Sequence, residues 1–168
     1  PVIEPANGQP VPPVSSLRLL HATAPKRDGE EARHATQRLT AFACRPGVAV
    51  IAEGRGSLRA VGLPSWSPRW NRCLHGEISS LALDPTGALV VAGYKDKVTL
   101  MRADDGATIR QRTVPSGVLA VAVDAEGRLA AGSASASTWA ETNDCWGDLT
   151  THAARVGAID RSGPIIVT

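Results

Sequence analysis

The chain has 168 residues, 43% of them hydrophobic and 4% aromatic, with 18 basic and 16 acidic side chains giving a formal net charge of +2. That length holds one ordinary domain with a sizeable core, and the composition excludes the disordered class. The even charge balance gives no bulk pull toward nucleic acid or a membrane surface, and no apolar run reaches the roughly eighteen residues of a membrane span.

Residues 1–14 carry prolines at positions 1, 5, 10, 12 and 13 and read as an extended arm, because proline removes donors and fixes the backbone. Within 15–36, Ser15–Ala24 reads as a strand and the remainder as a charged loop, where Asp28 and Glu31 have the spacing of a capping box for one short helix. The first forty residues hold no continuous apolar stretch, so no signal peptide is expected.

From residue 37 onward one pattern returns: Phe42–Gly54, Leu81–Gly93, Val121–Gly132 and Gly157–Thr168 each read as a strand, a polar turn with glycine and a second apolar strand. With Arg45, Asp84, Asp124 and Asp160 as equivalent turn positions, the spacings are 39, 40 and 36 residues. A period near forty built from short strands is that of a β-propeller blade. The expected fold is therefore all-β, in blades of about four antiparallel strands, with about three and a half blades at 37–76, 77–117, 118–153 and an incomplete 154–168.

In the first blade the inner strand ends at Arg45, Val48–Ala52 returns, and Ser57–Val61 and Arg69–Leu74 follow, with Gly62–Pro68 as a surface loop. The second takes Ile78–Leu83, Leu89–Ala92, Val98–Met101 and Thr108–Val114. The third takes Leu119–Val123, Leu129–Ala131, Thr138–Glu141 and Leu149–Ala153, and the fourth begins with Arg155–Ile159 and Ile165–Val167. Small residues near the ends of the second strands, Ala52, Ala92 and Ala131 with Gly54, Gly93 and Gly132, are expected to let neighbouring blades approach closely.

The segment Val90–Arg102, followed by Ala103–Gly106, resembles a WD-repeat blade over its best-matching stretch, 78–117, and more loosely over 37–168. Asp96 stands at that family's structural aspartate, Met101 and Arg102 stand at its Trp-Asp pair, and His75-Gly76 stands at its Gly-His pair in reversed order. The resemblance implies a propeller with a buried hydrogen-bond network of His75 and Asp96. It also implies a non-enzymatic protein-interaction scaffold. Blades one and three depart from the pattern, offering Arg55-Gly56-Ser57 and Ser133–Ser137 where the aspartate would fall. Three and a half blades leave a ring to be closed by a longer chain, by this chain on itself or by a second chain, since an open blade face is an aggregation hazard.

The chemistry-bearing residues are sparse. His21, His34, His75 and His152 are scattered, and neither a phosphate-binding glycine loop nor a nucleophile elbow occurs. No catalytic residue, metal or cofactor is expected. Asp84, Asp124 and Asp160 read as ordinary turn residues that cap backbone N–H groups. The candidate interface residues are Trp66 and Trp146, each in a loop, and Arg110 with Arg112, which alternate on one face of an outer strand and so point to solvent together. The alternative is a metal-dependent propeller hydrolase of the lactonase type, for which Glu53 and Asn143 are the nearest ligands.

Cys44, Cys73 and Cys145 form no CxxC pair and are odd in number, so neither a zinc site nor a disulfide framework is indicated. Cys44 is expected to be a small core residue, and the thiols point to an intracellular, cytoplasmic protein. The expected partners are other protein subunits or the remainder of a longer propeller, with no nucleic acid and no membrane insertion.

Overall fold

The computed structural model describes residues 38–142, 145–151, 159–162 and 165–167. The arm expected at 1–14 and the segment 15–36 lie outside them. Blade one consists of β1 (Leu39–Arg45), β2 (Val48–Glu53), β3 (Ser57–Gly62) and β4 (Ser67–Cys73). Blade two consists of β5 (Ile78–Leu83), β6 (Leu89–Tyr94), β7 (Lys97–Arg102) and β8 (Thr108–Thr113). Blade three consists of β9 (Val118–Val123), β10 (Leu129–Ser133), β11 (Ser137–Thr142) and β12 (Cys145–Thr151), and a hairpin of β13 (Asp160–Ser162) and β14 (Ile165–Val167) follows. Each blade is a four-stranded antiparallel meander in sequence order. Among the described residues no helix is long and apolar enough to cross a membrane.

The turns explain the regularity. Asp84 accepts hydrogen bonds from the backbone N–H of Thr86 (3.0 Å) and of Leu89 (2.7 Å). Asp124 does the same for Glu126 (3.1 Å) and Arg128 (2.8 Å). One buried carboxylate thus satisfies the donors of each β5–β6 and β9–β10 turn, which is the turn role expected of these aspartates. Asp160 differs: it lies in β13, paired with Val167, and not in a turn. The strand expected at Arg155–Ile159 lies almost wholly outside the described residues.

The first strands β1, β5, β9 and β13 follow one another in contact, as inner strands of successive blades do. Strand parity then sorts every side chain to one neighbour or the other. Val48, Val50, Ala52, Leu58, Ala60 and Trp70 of blade one pack against Leu83, Val90, Ala92, Tyr94 and Met101 of blade two. The opposite face of blade two, with Val91, Val98 and Leu100, packs against Val121, Val123, Leu129 and Ala131 of blade three. Ala122, Ala130 and Ala140 of blade three form a small apolar cluster with Ile159. Branched aliphatic side chains at alternate positions fill both faces, so the near-absence of Phe and Tyr is no handicap.

Two sequence expectations are corrected here. Cys44 is exposed: Ala41 and Ala43 are the residues of β1 that join the core, so the odd-even alternation puts Cys44 on the side of blade one turned away from blade two. Close approach holds at Gly93, where an added Cβ would meet Val118 at 2.6 Å and Val121 at 2.8 Å. At Gly54 it does not, because the nearest atom to an added Cβ is the Arg38 carbonyl oxygen of the same blade at 3.8 Å.

Candidate functional site

Trp66 occupies the β3–β4 hairpin with 57% of its surface exposed. Its φ of 57° lies in the left-handed region, which costs a bulky residue about 1 kcal/mol. The hairpin is tied down: Leu63 N–H donates to the Gly47 carbonyl at 3.1 Å and Arg69 Nη2 donates to the same carbonyl at 2.9 Å. Successive turns of a meander alternate between its two ends, so the Pro46–Gly47 turn and this hairpin share one end of blade one. The result is a large aromatic ring presented to solvent on a braced turn.

Arg110 and Arg112 are not a solvent-facing stripe. Both cross to blade three and clamp Glu141, whose side chain is only 4% exposed: Arg110 Nη2 donates to Oε2 at 2.8 Å and Arg112 Nε to Oε1 at 3.0 Å. Glu141 also accepts from the Leu129 N–H at 3.0 Å, and Arg110 donates to the Gly127 carbonyl. The reason is register. Arg110 pairs with Leu100 and Arg112 with Val98, so they share the face of blade two that blade three covers.

Trp146 is not in a loop. It lies in β12, half-buried, with its Nε1–H donating to the Thr113 carbonyl of blade two at 2.9 Å and its ring 6.1 Å from that of Trp139. Trp70, which the sequence did not single out as an interface residue, does the same for the other neighbour, donating to the Ala103 carbonyl at 3.0 Å. The indoles of two outer strands thus fasten both outer margins of blade two.

His75 and Asp96 are both exposed, and among the described residues no hydrogen bond joins them. A polar network of blade two is made by other residues: the exposed Gln111 reaches in, its Nε2 donating to the buried Tyr94 hydroxyl (2.8 Å) and to Thr99 Oγ1 (2.9 Å). Glu53 is engaged by Arg59 at 3.1 Å, and Asn143 lies outside the described residues. Among the described residues no three His, Cys, Asp or Glu side chains are grouped as metal ligands would be.

Charge is distributed very unevenly among the blades. Residues 38–76 contain six arginines and one carboxylate, 77–117 contain five bases and five acids, and 118–153 contain one arginine and five carboxylates. In blade one Arg59–Glu53 is the single ion pair among the described residues. A cavity of about 520 Å³ opens there, lined by Glu53, Ser57, Arg59, Asn71, Arg72 and Cys73. The overall charge of +2 conceals this partition, which emerges once the chain is cut at its blade boundaries.

No family model matches the sequence, and no curated protein does. Solved structures do match. One is the crystal structure of the WD40 repeats of RRP9, with a TM-score of 0.67 at 14% identity, over 75% of this chain and 42% of that one. The likeness shows the fold, which is that of WD40-like propeller blades. This chain spans less than half the length of that neighbour.

Proposed function

We propose that these blades form a non-enzymatic protein-interaction scaffold that works within a larger ring or multi-subunit assembly. The observation that carries this reading is Trp66, a large exposed aromatic held outward at a left-handed backbone position on a hydrogen-bonded hairpin. Aromatic side chains of this kind anchor protein interfaces, because they bury much area at little loss of side-chain freedom. The four-stranded blades add a second support, since such units are stabilised by flat neighbours on both faces. Three exposed free thiols suit a reducing, cytoplasmic setting.

Light scattering after size exclusion tests the assembly. A particle heavier than one chain, or a chain that stays dispersed only with a co-purifying subunit, is the expected result, and Trp66→Ala should weaken that association about tenfold or more. A dispersed single chain with native far-UV dichroism, unaffected by Trp66→Ala, overturns it. Hydrolysis of an ester or lactone that requires a retained divalent metal would replace the scaffold with the lactonase-type alternative.

A further inference from the structure

We infer that the Trp66 hairpin of blade one takes the proline-rich segment Pro10–Pro13 of a second copy of this chain, a reading that rests on the scaffold function and names its partner. The hairpin lies at an end of blade one, and blades pack through their faces, so a neighbour on either face leaves it open. Trp66 is 57% exposed, and Pro64 and Pro68 beside it are exposed as well. The Trp66 Nε1–H has no hydrogen-bond partner among the described residues, whereas Trp70 and Trp146 each place theirs on a carbonyl. Ser65 Oγ donates to Ser67 Oγ at 3.1 Å, which leaves the Ser67 hydroxyl hydrogen to donate outward. The hairpin thus offers an indole face flanked by two donors, and fits a ligand of apolar rings and carbonyl acceptors.

Proline supplies that chemistry, since it has an apolar ring and a carbonyl but no backbone N–H. The run Pro10-Val11-Pro12-Pro13 sets three prolines in four positions, with no charged side chain among them. Such a sequence favours the polyproline II helix, whose carbonyls are not used internally and which loses little freedom on docking against aromatic side chains. The occupant follows from where the chain enters the blade. Gly54 N–H donates to the Arg38 carbonyl at 2.9 Å, so the chain enters β1 beside the β2–β3 turn. The Trp66 hairpin stands at the other end, about 20 Å away along the seven residues of β1. An arm joined at one end and a hairpin at the other suit end-to-end contact between copies, which is heterologous and can continue from copy to copy.

The probe is a fluorescein-labelled peptide of residues 1–14, followed by anisotropy on the intact chain kept dilute. Binding is expected to fall about tenfold or more in Trp66→Ala. Trp66→Phe keeps a ring but drops the N–H donor, for a loss of about fivefold, and Ser67→Ala should lose about threefold. A peptide carrying Pro10→Ala, Pro12→Ala and Pro13→Ala together should bind about fivefold more weakly, because it must be ordered on docking. Equal binding to Trp66→Ala and to the parent chain overturns the inference, as does a triple-alanine peptide that binds as well as the parent one. A foreign proline-rich peptide that binds more tightly than residues 1–14 would assign the hairpin to another protein and overturn it. A chain that stays single at every concentration, and takes up the peptide only after its own three prolines are replaced, carries its arm on its own hairpin and overturns it too. If the peptide does not bind while Trp66→Ala still loosens the assembly, the arm falls as the occupant and the scaffold stands.

Discussion

Blade two meets blade one through side chains that are almost all apolar, and meets blade three through a similar apolar core with polar ties added. Across the first seam the described residues make one hydrogen bond, from Trp70 to Ala103. Across the second, Arg110 and Arg112 clamp Glu141, the Ser79 hydroxyl lies 2.7 Å from the Val118 carbonyl, and Val121 N–H donates to Ser80 Oγ at 3.2 Å. The strengths of the two seams depend on different things. Apolar contact stabilises in proportion to area, about 25 cal/mol per Å², and has no direction. A carboxylate held by two guanidinium groups and a backbone N–H gains its energy only at one alignment. Buried ion pairs add little net stability after desolvation, so the clamp serves to fix the angle and register of blade three on blade two more than to hold them together.

The largest expected effect tests that division. Glu141→Ala removes the carboxylate that meets two partly buried arginines and the Leu129 N–H, and should destabilise by about 3 kcal/mol in urea unfolding. Replacing Arg110, Arg112 and Glu141 together by Met, Leu and Leu should restore most of that loss. A triple variant as unstable as Glu141→Ala would show that the clamp is a source of net stability. In the first seam Leu58→Ala, at a fully buried position, should cost about 2–4 kcal/mol through lost burial and the cavity left behind, with no triple rescue available.

Smaller effects sharpen the contrast. Gly106 has φ +70°, and an added Cβ would meet the Trp70 ring at 2.8 Å. Gly106→Ala should therefore cost about 2 kcal/mol from backbone strain and displaced packing together. Trp70→Phe keeps most of the ring but drops the hydrogen bond to Ala103, for about 1 kcal/mol. If these two variants were to loosen the second seam as much as the first, measured by amide exchange in β9 and β10, the seams would not be independent.

The smallest effect concerns acid. The Asp105 carboxyl is lowered to about 2 by its hydrogen bond from Arg102 and by the Ala107 N–H. Its contribution is therefore present above the ordinary value of 3.8 and is lost as the pH falls through about 2. Asp105 is exposed, so the effect is screened. Asp105→Asn should flatten the acid limb of Tm against pH slightly between those values, lowering Tm a little at neutral pH and matching the parent chain below about pH 2, whichever seam limits stability.

The strands were legible because turn chemistry and alternation act locally. An Asp that caps its own turn, a glycine and a four- to six-residue apolar run recur without reference to the rest of the chain. Ile78–Leu83 was read to the residue. The site was less legible because it depends on which blade each face meets. Arg110 and Arg112 were read as solvent-facing, since an outer strand of alternating Thr, Ile, Arg, Gln and Arg looks like a wet edge. The signal that contradicts this is Glu141, the one charged residue of the strand Ser137–Thr142. Trp146 reads as a loop residue because it stands in Asn143-Asp144-Cys145-Trp146-Gly147, yet β12 already begins at Cys145. His75 and Asp96 were carried over from a family pattern, and in this chain Gln111, Tyr94 and Thr99 supply the polar contacts of blade two.

The placing of the indoles has an optical consequence. Trp70 is shielded within the first seam, Trp139 and Trp146 lie as a tilted pair at the second, and Trp66 stands in water. The molecule therefore carries a separate fluorophore for each junction and one for its surface. A quencher dissolved in the buffer reaches the last at once and the others only as their blades part, so the order in which the emission is lost records the order in which the blades separate.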